Sequence, residues 1–359
     1  MRTLIAVALL ALCSCARPSS SPAEPVRAEV TGRYALTVPG GTIGTITSAV
    51  RCGTTLHLSD VGRLHRLDLT DDRVLPSLID DTVLPMALAA DCARGRVWVV
   101  SPLPRGRGLR VIAFDLQSGK PLREVSIATA CFPTSAVVAG DELFVGGECI
   151  QGEVDGNYVV PPAASYYSDK RIGARVSMTS GKSRPGLAPF ETGCHGAGAC
   201  VGGSVARIGN GWIASLPVSS RIGIYSSDGD LTRTVPVGSQ SVVSDGTRLA
   251  SGTGSDQRVQ WSTRNSLIHR VFAVSDRLVV SHYVMQVAPG WTIASPDRPQ
   301  FKVRMNVMTS DGEMKHPDVD LPELPVGADD ESLYVVDYGD KGRQGAHESV
   351  TVLRIAIPK

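Results

Sequence analysis

Residues 221–237, RIGIYSSDGDLTRTVPV, alternate apolar and polar side chains on both sides of a Ser-Asp-Gly-Asp turn. Period-two alternation interrupted by a Gly-containing turn is the pattern of a β-hairpin. The same pattern returns at residues 63–79, 109–127 and 302–321. One such hairpin leaves an apolar face uncovered, so units repeated at these intervals must stack on their neighbours, as propellers and solenoids do. The predicted class is all-β, a β-propeller of four-stranded antiparallel blades.

With these hairpins as the two outer strands of each blade, an inner hairpin is expected upstream of each. Such pairs occur at 46–51 with 55–59, at 86–90 with 96–101, at 135–139 with ELFVGG, and at 204–208 with WIASLP. They continue at 271–274 with RLVVSHY and at 325–328 with SLYVVDY. A shorter pattern at 241–267 (SVVS, an Asp245-Gly246 turn, RLASG, RVQWS) reads as a worn extra unit. Second strands beginning near Thr55, Arg96, Glu142, Trp212, Arg248, Arg277 and Ser332 favour seven blades, and six is the alternative if the worn unit forms none. The chain stops after the third strand of its last blade. Residues 33–38 (RYALTV) have no hairpin partner of their own, and are predicted to supply the missing strand and close the ring, removing an exposed edge.

The N-terminus changes the picture of location. Met1-Arg2 precedes the apolar run 3–12, TLIAVALLAL, too short for a mature membrane span and suited to a secretory signal. Leu12-Cys13-Ser14-Cys15 resembles a bacterial lipobox, with Cys15 as the lipid-attachment residue, because Cys13 would place bulky Leu12 at the small-residue position. The expected organisation is signal peptide 1–14, a Pro/Ser/Ala-rich tether 15–32 and propeller 33–359. Composition adds an exclusion: 359 residues with net charge +1 suggest neither a nucleic-acid partner nor an anionic membrane surface. The membrane is reached through the lipid anchor alone, and a monomer is expected.

The turns SSDGDLTRTV and QSGKPLREV, the stretch SDGTRLASG and the lipobox resemble bacterial lipoproteins of the TolB-like and other six-bladed β-propeller groups. The resemblance extends over most of the mature chain. It implies a palmitate-bearing, exported protein held to the cell envelope, with the outer membrane favoured.

Six further cysteines lie past the signal. Placed on the predicted blades, Cys52 and Cys92 share one face of the ring, and Cys131, Cys149, Cys194 and Cys200 the other. The expected disulfides are Cys52–Cys92, Cys131–Cys149 and Cys194–Cys200, with a metal site as the alternative that no paired C-x-x-C motif supports. No cofactor is expected. The histidines are scattered, and no HExxH, G-x-S-x-G or P-loop motif occurs. Asp71-Asp72, Asp80-Asp81 and Asp329-Asp330-Glu331 fall at predicted turns, where Asp bonds the local backbone. Long departures from the minimal blade, among them 149–173, 187–203, 287–300 and 339–347, are expected to gather on one rim. They carry Tyr158, Tyr166, Tyr167, His195 and Trp291, and His282 sits at the channel end of a second strand. These six residues form the candidate binding rim. No catalytic residue is assigned: only His282 and Asp337 end second strands with suitable groups. The reading is therefore a non-catalytic binding or scaffold lipoprotein for an envelope protein, peptide or glycan. The alternative is a lactonase-like hydrolase or lyase at the channel mouth.

Overall fold

A computed structural model of the chain describes residues 26–60, 62–78, 85–103, 108–127, 130–150, 170–190, 203–239, 241–242, 244, 255–292, 294–295, 299–339, 342–343 and 345–359. The first strand is β1 (Val30–Thr37). Blade one follows with β2 (Ser48–Cys52), β3 (Thr55–Asp60), β4 (Arg63–Asp68) and β5 (Arg73–Leu75). Blade two is β6 (Ala87–Asp91), β7 (Arg96–Pro102), β8 (Leu109–Asp115) and β9 (Pro121–Ile127). Blade three is β10 (Ala130–Ala139), β11 (Glu142–Ile150), β12 (Lys170–Ser177) and β13 (Ser183–Leu187). Blade four is β14 (Val205–Ile208), β15 (Gly211–Ser215), β16 (Arg221–Tyr225) and β17 (Leu231–Pro236). A helix, α1 (Ser255–Ser262), precedes blade five: β18 (Leu267–Val274), β19 (Arg277–Gln286), β20 (Gln300–Thr309) and β21 (Met314–Leu321). Blade six is β22 (Pro325–Ala328), β23 (Ser332–Asp337) and β24 (Ser349–Ala356), completed by β1.

Every blade is an antiparallel sheet of four strands, and the innermost strands touch in order β2, β6, β10, β14, β18, β22 and back to β2. The ring therefore has six blades. The favoured count of seven is corrected by the direct contact between β14 and β18, which leaves no room for a blade between the fourth and fifth. Part of the worn unit, RVQWS, is helical within α1, with Trp261 buried. Its five-residue alternation is too short to separate a strand from a short helix. The Arg248 strand start lies outside the described residues.

Six apolar clusters hold the ring, one between each pair of neighbouring blades. Strand alternation feeds two of them at once. In β7, Val97 and Val99 pack toward blade one while Trp98 and Val100 pack toward blade three. In β23, Leu333 and Val335 face blade five, and Tyr334 and Val336 face blade one. Burial on both faces explains why second strands read as continuous apolar runs (WVVS, LYVVD), since each large side chain buried contributes about 1.5–3 kcal/mol.

Closure follows the expectation. β1 pairs with β24 from Val30 opposite Ile355 to Thr37 opposite Ser349, so the N-terminal strand is the outermost strand of the last blade. The inner seam between blades six and one is tight: a Cβ on Gly327 would lie 2.1 Å from the Ala49 carbonyl oxygen. A side chain at this position would force the first and last blades apart.

Candidate functional site

The face carrying the connections between blades is built around residues 43–47, the segment that leads from β1 into β2. The loop between β23 and β24 folds over this segment and is bound to it. Ile43 and His347 exchange backbone hydrogen bonds of 2.6 and 3.0 Å. The Thr45 hydroxyl donates to the Arg343 carbonyl at 2.8 Å, and the Ile46 N–H donates to the Tyr338 hydroxyl at 2.8 Å. Tyr338, Arg343 and His347 of the last blade are thereby held against the segment that enters the first innermost strand. Burial pushes the Tyr338 hydroxyl up to about 12, so it remains protonated.

Opposite, β18 carries a register shift between Ile268 and Arg270. A bulge breaks strict alternation, so two adjacent side chains serve the same side of the strand. Both reach blade six: His269 Nε2 donates to the Pro325 carbonyl at 3.1 Å, and Arg270 Nη1 to the Val326 carbonyl at 2.9 Å. Arg270 Nη2 continues to the Thr47 carbonyl of blade one at 2.6 Å. Arg343 Nη2 donates to the neighbouring carbonyl, Ile46, at 3.3 Å. Two guanidinium groups thus converge on consecutive residues at the mouth.

Arg270 is 8% exposed, and among the described residues no carboxylate pairs with it or with Arg343. Burial, reinforced by the positive charge of Arg343, pushes the Arg270 guanidinium down to about 10. It still carries its charge at neutral pH. Burial and the same two arginines hold the His269 imidazole well below its usual range, against the opposing hydrogen bond to Pro325, so it is neutral. The aromatic side of the mouth is Tyr283, in edge contact with His269 at 6.4 Å and with Phe301 at 5.3 Å. Asp60 lies near Tyr338 but is engaged by the Gly44 N–H at 3.0 Å and by His65 at 3.2 Å.

Below Arg270 the channel widens into a cavity of about 230 Å³ lined by all six innermost strands. Its wall is mainly apolar (Val50, Leu88, Val137, Val205 and Phe272 among others), with Arg270 and Arg207 as its charged residues. The arrangement of the inner strands shows why Arg270 is unusual. At the matching register three blades carry serine, and each serine hydroxyl accepts an N–H from the next blade: Ser48 from Leu88 at 3.2 Å, Ser135 from Val205 at 2.9 Å and Ser204 from Val271 at 2.8 Å. Arg270, opposite Ser281 as Ser48 is opposite Ser59, takes this place in blade five. A long cation stands where its neighbours have a short hydroxyl.

The residues expected from sequence are distributed differently. His282 is 1% exposed and lies inside blade five, with Nε2 lacking a partner among the described residues. Burial lowers its pKa, opposed by Asp318 and a hydrogen bond to Asn306. Trp291 is 8% exposed and its carbonyl accepts from Gln260 of α1, so its ring packs inward instead of facing solvent. Asp337 accepts the Gly339 N–H at the loop start. Tyr158, Tyr166, Tyr167 and His195 lie outside the described residues, as do Cys15, Cys194 and Cys200. Cys52 and Cys92 form a disulfide between neighbouring blades. Cys131 and Cys149 stand directly opposite on β10 and β11, with side chains outside the description. Arg270 and Arg343 escaped sequence reasoning, although a signal existed. The other inner strands read SAVRC, ALAAD, ACFPTSAVVA, VARI and PVGA, and only β18 places two adjacent titratable residues, His269-Arg270, mid-strand.

No protein-family description matches the chain, and no curated protein is similar to it in sequence. Among solved structures it is similar to a member of the DUF4221 family from Bacteroides vulgatus, with TM-score 0.66 at 11% identity, covering 93% of this chain and 99% of that one. The β-propeller domain of Myceliophteria thermophila Cps50 (Swd1) aligns at TM-score 0.46 and 12% identity, over 92% of this chain and 100% of that one. Identities this low speak to architecture alone, and the first of these likenesses, together with the strand order, establishes a six-bladed β-propeller resembling the DUF4221 fold.

Proposed function

We propose that this chain is an exported lipoprotein of the TolB-like propeller type, anchored through Cys15, that works as a non-catalytic binding module at the bacterial envelope. The observation that carries the binding reading is the pair Arg270 and Arg343, set at the channel mouth on carbonyls of Thr47 and Ile46. Guanidinium groups stay protonated at neutral pH, so they recognise anions and transfer no protons. The nearest imidazole, His269, is held neutral and occupied by Pro325. The lipobox and the tether of 15–32 support the anchored location.

The test has two arms. Mass spectrometry of the N-terminal peptide from the membrane fraction should find a diacylated Cys15, and Cys15→Ser should move the protein to the soluble fraction. Purified protein, screened against envelope peptides, glycans and small metabolites by thermal shift, should be stabilised by a ligand it leaves chemically unchanged. Hydrolysis of a lactone or ester lost in Arg270→Gln would sink the binding-only reading in favour of the hydrolase.

A further inference from the structure

We infer that the channel cavity beneath Arg270 is a site for a small organic carboxylate, its charge received by Arg270 and its apolar body lying against the inner strands. This deepens the binding reading above and rests on it for the claim that the ligand is held without turnover.

The cavity fits such a molecule on three grounds. At about 230 Å³ it lies just below the size range of drug-like pockets, which restricts it to a few heavy atoms. Val and Ala are the commonest residues along its lining and more of the exposed lining is apolar than polar, which favours an alkyl body over a strongly hydrated inorganic ion. Its charged end is Arg270, more than nine-tenths buried, whose donors to Val326 and Thr47 use two of the N–H groups of a guanidinium. Those two carbonyls fix the plane of the group and leave donors for a carboxylate, the acceptor whose geometry a guanidinium matches best.

Energetics point the same way. A buried cation satisfied only by carbonyl dipoles retains a desolvation cost that an anion offsets. Arg343 adds positive charge from the mouth side, its own contact being the Ile46 carbonyl. The facing acidic groups are committed elsewhere: Asp60 to Gly44 and His65, and Glu323 to the Leu324 N–H at 2.9 Å. A second positive charge near the site strengthens anion binding in this poorly solvated channel.

The experiment is calorimetry and thermal shift on the full chain with straight-chain carboxylates from acetate to octanoate, their neutral primary amides, and inorganic phosphate. Carboxylates should bind with an optimum at intermediate length, and the matching amides at least tenfold more weakly. Arg270→Gln should lose tenfold or more in carboxylate affinity, and Arg343→Gln, on a surface loop, several-fold with an unchanged melting temperature. Arg270→Lys, which keeps the charge, covers the case in which Arg270→Gln does not fold, and should retain weakened binding. Equal binding of acids and amides, preference for phosphate, or carboxylate affinity untouched by Arg343→Gln and Arg270→Lys would each overturn the site. If a peptide or glycan binds while no carboxylate does, this inference falls and the binding module stands. If a carboxylate binds with the expected preference over its amide but is chemically converted, the site stands and the binding-only function falls.

Discussion

Asp329 of blade six accepts Arg51 Nη1 of blade one at 2.7 Å, and its same oxygen takes the Tyr334 hydroxyl at 2.7 Å. Its other oxygen accepts the N–H groups of Glu331 and Ser332, the turn role its sequence position suggested. One carboxylate therefore shapes the β22–β23 turn and ties the last blade to the first. Burial alone would raise its pKa. The hydrogen bonds from Tyr334, Glu331 and Arg51 outweigh this and hold it below the usual carboxylate range.

Asp329→Ala should cost about 3 kcal/mol, because it strands the Tyr334 hydroxyl and the Arg51 charge at a mostly buried seam. A double-mutant cycle with Arg51→Met, read by urea unfolding, should give a coupling of about 1 kcal/mol or more. Additive single effects would show that the ion pair does not hold the seam.

The hairpin pattern made the architecture readable because both faces of each blade are buried, so period-two alternation and long apolar runs mark the strands directly. The inner and outer hairpins of blades one, two and four fall where that pattern places them. The seventh blade failed because RVQWS carries too few residues to fix its period, and α1 resulted. The site was less legible. Trp291 was picked as an amphipathic loop residue and His282 as a histidine at the channel end of a second strand, yet loop residues in a propeller also fill gaps between blades and strand residues pack within them, and both are buried. Arg270 was overlooked because strand alternation treats a polar residue as solvent-facing, whereas the inner strands of a ring face a channel.

The strand that closes the ring tests the architecture. Leu36 is fully buried in the cluster between blades six and one, and β1 covers the whole edge of β24. Deleting residues 30–37 should abolish cooperative melting or lower the midpoint by more than about 10 °C, since each kcal/mol is worth roughly 2–4 °C in a domain of this size. Leu36→Ala provides a graded version, with an expected loss of about 2–5 kcal/mol. A deletion variant melting with the parent would mean that β24 is not the seam.

Cys52 and Cys92 lie 40 residues apart, at the inner turns of adjacent blades. Crosslinking a loop of that length stabilises by about 4 kcal/mol in the chain-entropy treatment. The Cys52→Ala/Cys92→Ala double variant should therefore unfold at distinctly lower urea than the parent, measured without reductant so that other cysteines are unaffected. Thiol titration of the denatured, unreduced parent should leave this pair unreactive. Reactive thiols at Cys52 and Cys92, located by alkylation and peptide mapping, would exclude the bridge.

Acid should weaken the fold through its buried histidines. His57 is 1% exposed, in β3, and its Nδ1 has no partner among the described residues. Burial, with the neighbouring charge of Arg66, pushes its pKa down to about 4, against about 6.5 in an unfolded chain. Between those values the unfolded state takes up a proton that the native state refuses, so this stabilisation is complete above pH 6.5 and is lost as pH falls toward 4. The linkage amounts to about 2 kcal/mol between pH 7.5 and 5. His269 and His282, also lowered by burial, add to the same slope. Urea unfolding of the parent at the two pH values should show a loss larger than this. In His57→Gln the loss should shrink by about 2 kcal/mol, even though the variant is less stable at pH 7.5. An acid loss identical in parent and variant would mean that His57 is protonated as readily in the folded ring as in the unfolded chain.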